Sequence, residues 1–193
     1  MNYRRLFVLV EGEDDERFFE SVARPVFENL YDFVQLWQYS QRKKAKVNSF
    51  LNSIRPMQAS GEADLVIVAD LDESPCVTDR KERIQNSYRS LSAETGSLTR
   101  FRSSTRVLIV RREIESWYLA GLSDEECKRI GIVSPFSNTD HVAKEQFLSL
   151  MPNKFAAKAE FMLEILKVFD HETARTKNES FNYFMQNFGI VMR

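Results

Sequence analysis

Cysteine, histidine, glycine and proline are all scarce in this chain: two Cys, two His, six Gly and five Pro among 193 residues. Cys76 and Cys127 lie far apart and belong to no Cys-x-x-Cys pair, which excludes a disulfide scaffold. The first residues run straight into an apolar, strand-like segment with no leader pattern, so a reducing cytoplasm is the expected compartment. His141 and His171 stand apart from each other, so zinc held by imidazole and thiolate is not expected. No apolar run approaches the roughly 20 residues needed to span a bilayer, so no membrane partner is expected. The best runs, 6–10 and 65–69, are cut short by charge. No Gly-x-x-x-x-Gly-Lys-Ser/Thr loop is present, so the chain carries no phosphate cradle of an ATPase. Charge of one sign is missing too. Lys and Arg number 27, Asp and Glu 28, and the net charge is −1, so any contact with nucleic acid must come from local basic patches.

What is present is a 43% apolar chain with a clear alternation of short apolar runs and helical patterns. Residues 6–10 read as a strand buried on both faces, ended by Glu11-Gly12. Residues 13–29 read as a helix with an acidic start and Phe18, Phe19, Val22 and Val26 at helical spacing, kinked or split at Pro25. Strands follow at 33–39, 65–69 and 106–110, with helices at 42–55, 81–91 and 114–122 and a loop at 56–61. This order predicts an α/β domain, Rossmann-like, with a mainly parallel sheet of about four strands flanked by helices over residues 1–122. Ser123-Asp124-Glu125-Glu126 resembles a capping box, and residues 123–193 read as a helical extension packed on that domain.

The acids occupy the informative positions. Glu11 follows the first strand, Asp70 and Asp72 the third, and Glu113 and Glu115 the fourth; Asp15 lies one helical turn beyond Glu11. In a parallel sheet these carboxyl ends share one edge, where open α/β folds bind ligands. A single acid at a strand end or in a helix's first turn is ordinary turn or dipole chemistry, but three coincident strand ends are harder to explain in that way. Two like charges about 4 Å apart repel by on the order of 4 kcal/mol at an effective dielectric near 20, which a divalent ion would relieve. An all-oxygen donor set favours Mg²⁺ or Mn²⁺. Two basic runs, Arg42, Lys43, Lys44 and Lys46, then Arg100, Arg102, Arg106, Arg111 and Arg112, are candidates for phosphate tracking.

The segment Leu9-Val10-Glu11-Gly12-Glu13-Asp14-Asp15-Glu16-Arg17-Phe18-Phe19 resembles the first motif of the toprim family, and Val66-Ile67-Val68-Ala69-Asp70-Leu71-Asp72 resembles the second. The spacing is most similar to the OLD-type (overcoming lysogenization defect) nucleases and to small toprim-like proteins of phage defence. Over residues 6–122 the resemblance implies a toprim fold. It implies Glu11 as general acid/base or metal ligand and Asp70 and Asp72 as Mg²⁺ ligands. Asp15 matches an acidic position of the OLD-type motif. Arg112-Glu113-Ile114-Glu115-Ser116-Trp117 is similar to a Glu-x-Glu segment of the small toprim-like proteins, with Glu115 favoured as catalytic and Glu113 as a further ligand. Arg42, Lys43, Lys44, Arg100, Arg102 and Arg112 are the expected nucleic-acid contacts.

The expected activity is Mg²⁺-dependent phosphodiester hydrolysis on DNA or RNA, with an ATPase partner acting in trans because the chain has no phosphate loop of its own. A homodimer is compatible with this reading. The alternatives are a non-catalytic toprim-like module of a defence or toxin complex, nucleotidyl transfer, and a phosphoacceptor switch.

Overall fold

The computed structural model describes residues 3–93, 105–133 and 136–188. Its centre is one all-parallel sheet in the order β2-β1-β3-β4, built from β1 (Arg5–Val10), β2 (Phe33–Gln38), β3 (Ala63–Asp70) and β4 (Thr105–Val110). The chain is thus α/β and Rossmann-like, as the alternation predicts. Side chains alternate across a strand, so every strand feeds two cores. Leu6, Val8, Val10, Val66, Val68, Leu108 and Val110 line one face, and Phe7, Leu9, Leu65, Ile67, Ala69, Val107 and Ile109 the other. That double burial explains why β1 and β3 read as unbroken apolar runs.

On the first face, β1 leads into α1 (Glu13–Phe18), a π-helical segment (Phe19–Ala23) and α2 (Arg24–Glu28). The predicted split is therefore real, but it begins ahead of Pro25. The proline occupies the first turn of α2, where its missing N–H is tolerated, and the preceding turn widens to accommodate it.

On the second face, α3 (Lys44–Ser60) covers β3, and α4 (Val77–Ala93) lies against β4. Here the prediction needs correcting, because α3 runs through Pro56 and ends at Gly61, whose φ of 79° suits glycine. Burial of Leu51, Ile54 and Gln58 holds the last turns, and Gln58 donates to the Thr105 hydroxyl on β4 at 2.9 Å. Tertiary packing thereby outweighs the one hydrogen bond that Pro56 removes.

After β4 come α5 (Glu115–Ala120), α6 (Asp124–Ile130), α7 (Lys144–Ser149), α8 (Lys158–Leu166), α9 (His171–Lys177) and α10 (Glu179–Phe188). Ser123 caps α6, its hydroxyl accepting from the Glu126 N–H at 3.2 Å. The helices beyond residue 122 complete the first layer. Phe147, Phe161, Phe181 and Phe184 are fully buried in the same core as Val66, Phe18 and Trp117. Phe18 meets Trp117, Tyr118 and Phe169 edge-on, with centroids 5.6, 5.1 and 5.3 Å away. Among the described residues no helix is long and apolar enough to cross a membrane.

Gly121 shows how closely these late helices approach the sheet domain. A Cβ placed there would lie 2.3 Å from the Phe169 ring, while the Gly121 carbonyl accepts from the Asp170 N–H at 3.0 Å. Gly121→Ala should therefore expel Phe169 from its place over Phe18 and lower stability by about 1–3 kcal/mol, read as a drop in melting temperature. An unchanged melting temperature would mean that the Phe169 contact contributes little.

The strand order places a topological switch between β1 and β3. From β1 the chain turns to β2 across the first face; from β3 it turns to β4 across the second. The diverging connections open a crevice at the carboxyl ends of these two strands.

Candidate active site

Glu11 is the first residue after β1, and Asp70 is the last of β3, so both stand at this switch point. Asp15 hangs over it from the first turn of α1. It is held there because its Oδ2 accepts from the Gly12 N–H at 3.1 Å, closing the start of the helix. Glu115 reaches the same edge from the start of α5, and Asp72 follows β3.

These acids act on one another. Asp70 is pushed up to about 10, first by burial and then by the negative charges of Asp15, Glu11, Glu115 and Asp72. Asp15, only 5% exposed, is pushed up to about 7, again by burial first, with Glu11 and Glu115 adding to it against the Gly12 hydrogen bond. Glu11 is also raised, by burial set against a hydrogen bond from the Tyr39 hydroxyl at 2.9 Å. The Oδ1 atoms of both Asp15 and Asp70 are buried with no hydrogen-bond partner among the described residues. A buried, unpaired carboxylate oxygen is costly and calls for a proton or a cation.

Two basic side chains hold the margins of the group. Arg80 of α4 donates to the Asp70 carbonyl at 2.9 Å and to Asp72 at 2.7 Å, and lies 3.4 Å from Glu11. Lys158, the first residue of α8, bridges Asp14 at 2.7 Å and the nearly inaccessible Glu115. Burial would raise Asp14, but hydrogen bonds from Lys158 and Arg17 outweigh it and hold that carboxyl below its usual range. Asp72 (φ 49°) and Arg112 (φ 66°) both adopt left-handed backbone just past the strand ends. For an arginine this conformation is uncommon and marks a constrained turn.

The structure therefore brings together Glu11, Asp15, Asp70, Asp72 and Glu115. Glu113, predicted as a ligand, is engaged elsewhere: its carboxylate accepts from the Lys144 N–H and caps α7. Arg42, Lys43 and Lys44 are exposed at the start of α3, and Arg112 is exposed beyond β4. Arg100 and Arg102 lie outside the described residues. Of the other basic residues, Arg106 donates to the Asn187 carbonyl, and Arg111 pairs with Glu179 and Asp140, so both serve the packing of α10. Sequence reasoning missed Tyr39 and Arg80 as site residues. Tyr39 follows β2 at the same carboxyl edge, but it is not an acid, so a search for acids at strand ends passes over it. Arg80 carries no such signal.

The donor set is entirely oxygen and suits Mg²⁺ or Mn²⁺. Among the described residues no group of three or more acid, imidazole or thiol side chains is placed so as to hold a metal ion by itself. Mg²⁺ does not need one, since it is commonly held by one or two carboxylates together with waters and substrate phosphates. The unpartnered oxygens of Asp70 and Asp15 fit such an open position, with Glu11 beside it. Comparison with protein-family models, curated proteins and solved structures gave no match.

Proposed function

We propose that this acidic edge carries out Mg²⁺-dependent phosphodiester hydrolysis on nucleic acid. The observation that carries the reading is the pair of buried, unpartnered oxygens of Asp70 and Asp15 inside a group of mutually repelling acids at the switch point. Asp70 and Asp15 would hold the metal together with waters and the substrate phosphate, with Asp72 at the margin on Arg80, and the bound metal would supply positive charge to the phosphoryl group and acidity to water. Glu11, fixed by Tyr39 and with a raised proton affinity, accepts the proton of the attacking water. Lys158 offsets the charge of Glu115 and fixes its position. The exposed Arg42, Lys43 and Lys44 at the start of α3 track the phosphate backbone. No phosphate loop lies within these 193 residues, so ATP-driven control, as in the phage-defence setting the resemblance suggests, would come from outside them.

A second reading has its own observation. Arg80 and Lys158 already neutralise Glu11, Asp72 and Glu115, as they would in a toprim-like module that binds a partner without cleaving. Cleavage of supercoiled plasmid, single-stranded DNA and bulk RNA with Mg²⁺ or Mn²⁺ separates the two. Cutting should fall about a hundredfold or more in Glu11→Ala and in Asp70→Ala/Asp72→Ala. Equal cutting by wild type and both variants would place the activity elsewhere, and no cutting together with no metal binding by calorimetry would favour the binding module.

A further inference from the structure

Beside the acidic edge, on the second face of the sheet, a cleft of 310 Å³ opens between α3 and α4. Its floor is Leu9 and Ile67, from the two strands that flank the switch point, and its walls are Val47 of α3 and Ile84 of α4. Glu11, Tyr39, Arg80, Arg83, Ser87 and Tyr88 also line it, Arg83 lying one helical turn beyond Arg80. The Arg83 side chain pairs with Asp79 at 2.8 Å and stays 63% exposed. The basic start of α3, Arg42 to Lys46, stands at the same carboxyl edge. Apolar walls from two helices, the guanidinium groups of Arg80 and Arg83 and a shared residue, Glu11, with the acidic group suit one nucleotide unit, its base between the walls and its phosphate by the arginines.

We infer that this cleft receives the base of an unpaired nucleotide adjoining the scissile phosphate, so that the substrate is single-stranded or locally unpaired nucleic acid. The inference rests on the hydrolytic reading of the acidic edge and adds its substrate class. In a duplex the base is stacked and paired, and reaching the cleft requires extruding it, at a cost of a few kcal/mol. A strand already unpaired is free of that cost. A base held between apolar walls is recognised by shape more than by a base-specific code.

The test uses short single-stranded DNA and RNA oligonucleotides carrying 2-aminopurine at successive positions, with the full chain, in EDTA and in Mg²⁺. One position should change fluorescence on binding, and Val47→Trp and Ile84→Trp, which fill the cleft from opposite walls, should each weaken single-strand binding tenfold or more. Duplex binding and the melting temperatures should stay as in wild type. Single-strand binding lost in both variants, with no cleavage by wild type, would keep the cleft and remove the hydrolytic reading. Cleavage with unchanged single-strand binding in both variants would overturn the cleft and leave hydrolysis standing. Tighter binding of duplex than of single strand, or equal affinity for a free nucleoside monophosphate, would also overturn it.

Discussion

Asp70→Asn should make the metal-free protein more stable while removing its response to Mg²⁺. Asp70 is pushed up to about 10 by burial and four neighbouring acids. An unfolded aspartate titrates near about 3.9, so between that value and about 10 the folded state binds the proton that the unfolded state has lost. Folding stability therefore falls as pH rises through this window, the reverse of a salt-bridged aspartate. Asp15, pushed up to about 7, adds a loss of the same sign at lower pH. At pH 8 an amide at position 70 removes the larger contribution, and a gain of about 2 kcal/mol or more, roughly 5 °C in melting temperature, is expected. Wild type should flatten its pH profile when Mg²⁺ is added and gain about 2.7 kcal/mol at a hundredfold excess over Kd, whereas Asp70→Asn should gain little. Thermal melts from pH 5 to 9, with EDTA and with Mg²⁺, measure all of this. A variant less stable than wild type in EDTA, or one that keeps the full Mg²⁺ response, would show that Asp70 is not the strained ligand.

Much of this site was legible because a parallel sheet converts sequence position into spatial position. An apolar run that ends on an acid puts that acid at the carboxyl edge, and β1, β3 and the segment after β4 each did so. The same reasoning gave the sheet and its flanking helices. It failed where side-chain partners decide the outcome. Glu113 and Glu115 are equally acidic and two residues apart, yet one caps α7 and the other is buried beside Asp15 and Asp70. Nothing local distinguishes them, because α7 and α8 come from distant sequence. Arg80 has the same character: its role follows from α4 beginning earlier than its periodicity suggests and carrying the guanidinium back over the strand ends. At Pro56 local propensity predicts the end of the helix, but it says nothing of the apolar face that carries α3 past it.

The largest expected loss of stability comes from Lys158→Ala. Glu115 leaves 5% of its side chain exposed, and Lys158 18%, so their charges are largely out of water. Removing one member of such a pair strands the other, and costs about 3–5 kcal/mol in buried cases; the partial exposure of the lysine points to the lower end. Replacing both by uncharged shapes removes the stranded charge, so Lys158→Met/Glu115→Gln should recover most of the loss. Lys158 also reaches Asp14, whose own backbone carbonyl accepts from the Tyr118 hydroxyl at 2.9 Å. The start of α8 is thereby tied to α1 and α5 together, and denaturant melts of Lys158→Ala, Glu115→Gln and Lys158→Met/Glu115→Gln measure that tie. A loss below about 1 kcal/mol in Lys158→Ala would mean a solvent-screened surface pair. A loss that the double variant restores, with cleavage still absent, would separate the two contributions of this lysine. That outcome would mean that neutral shapes suffice to fold the edge, whereas the hydrolysis proposed for it needs the charged Lys158–Glu115 pair beside Asp15 and Asp70.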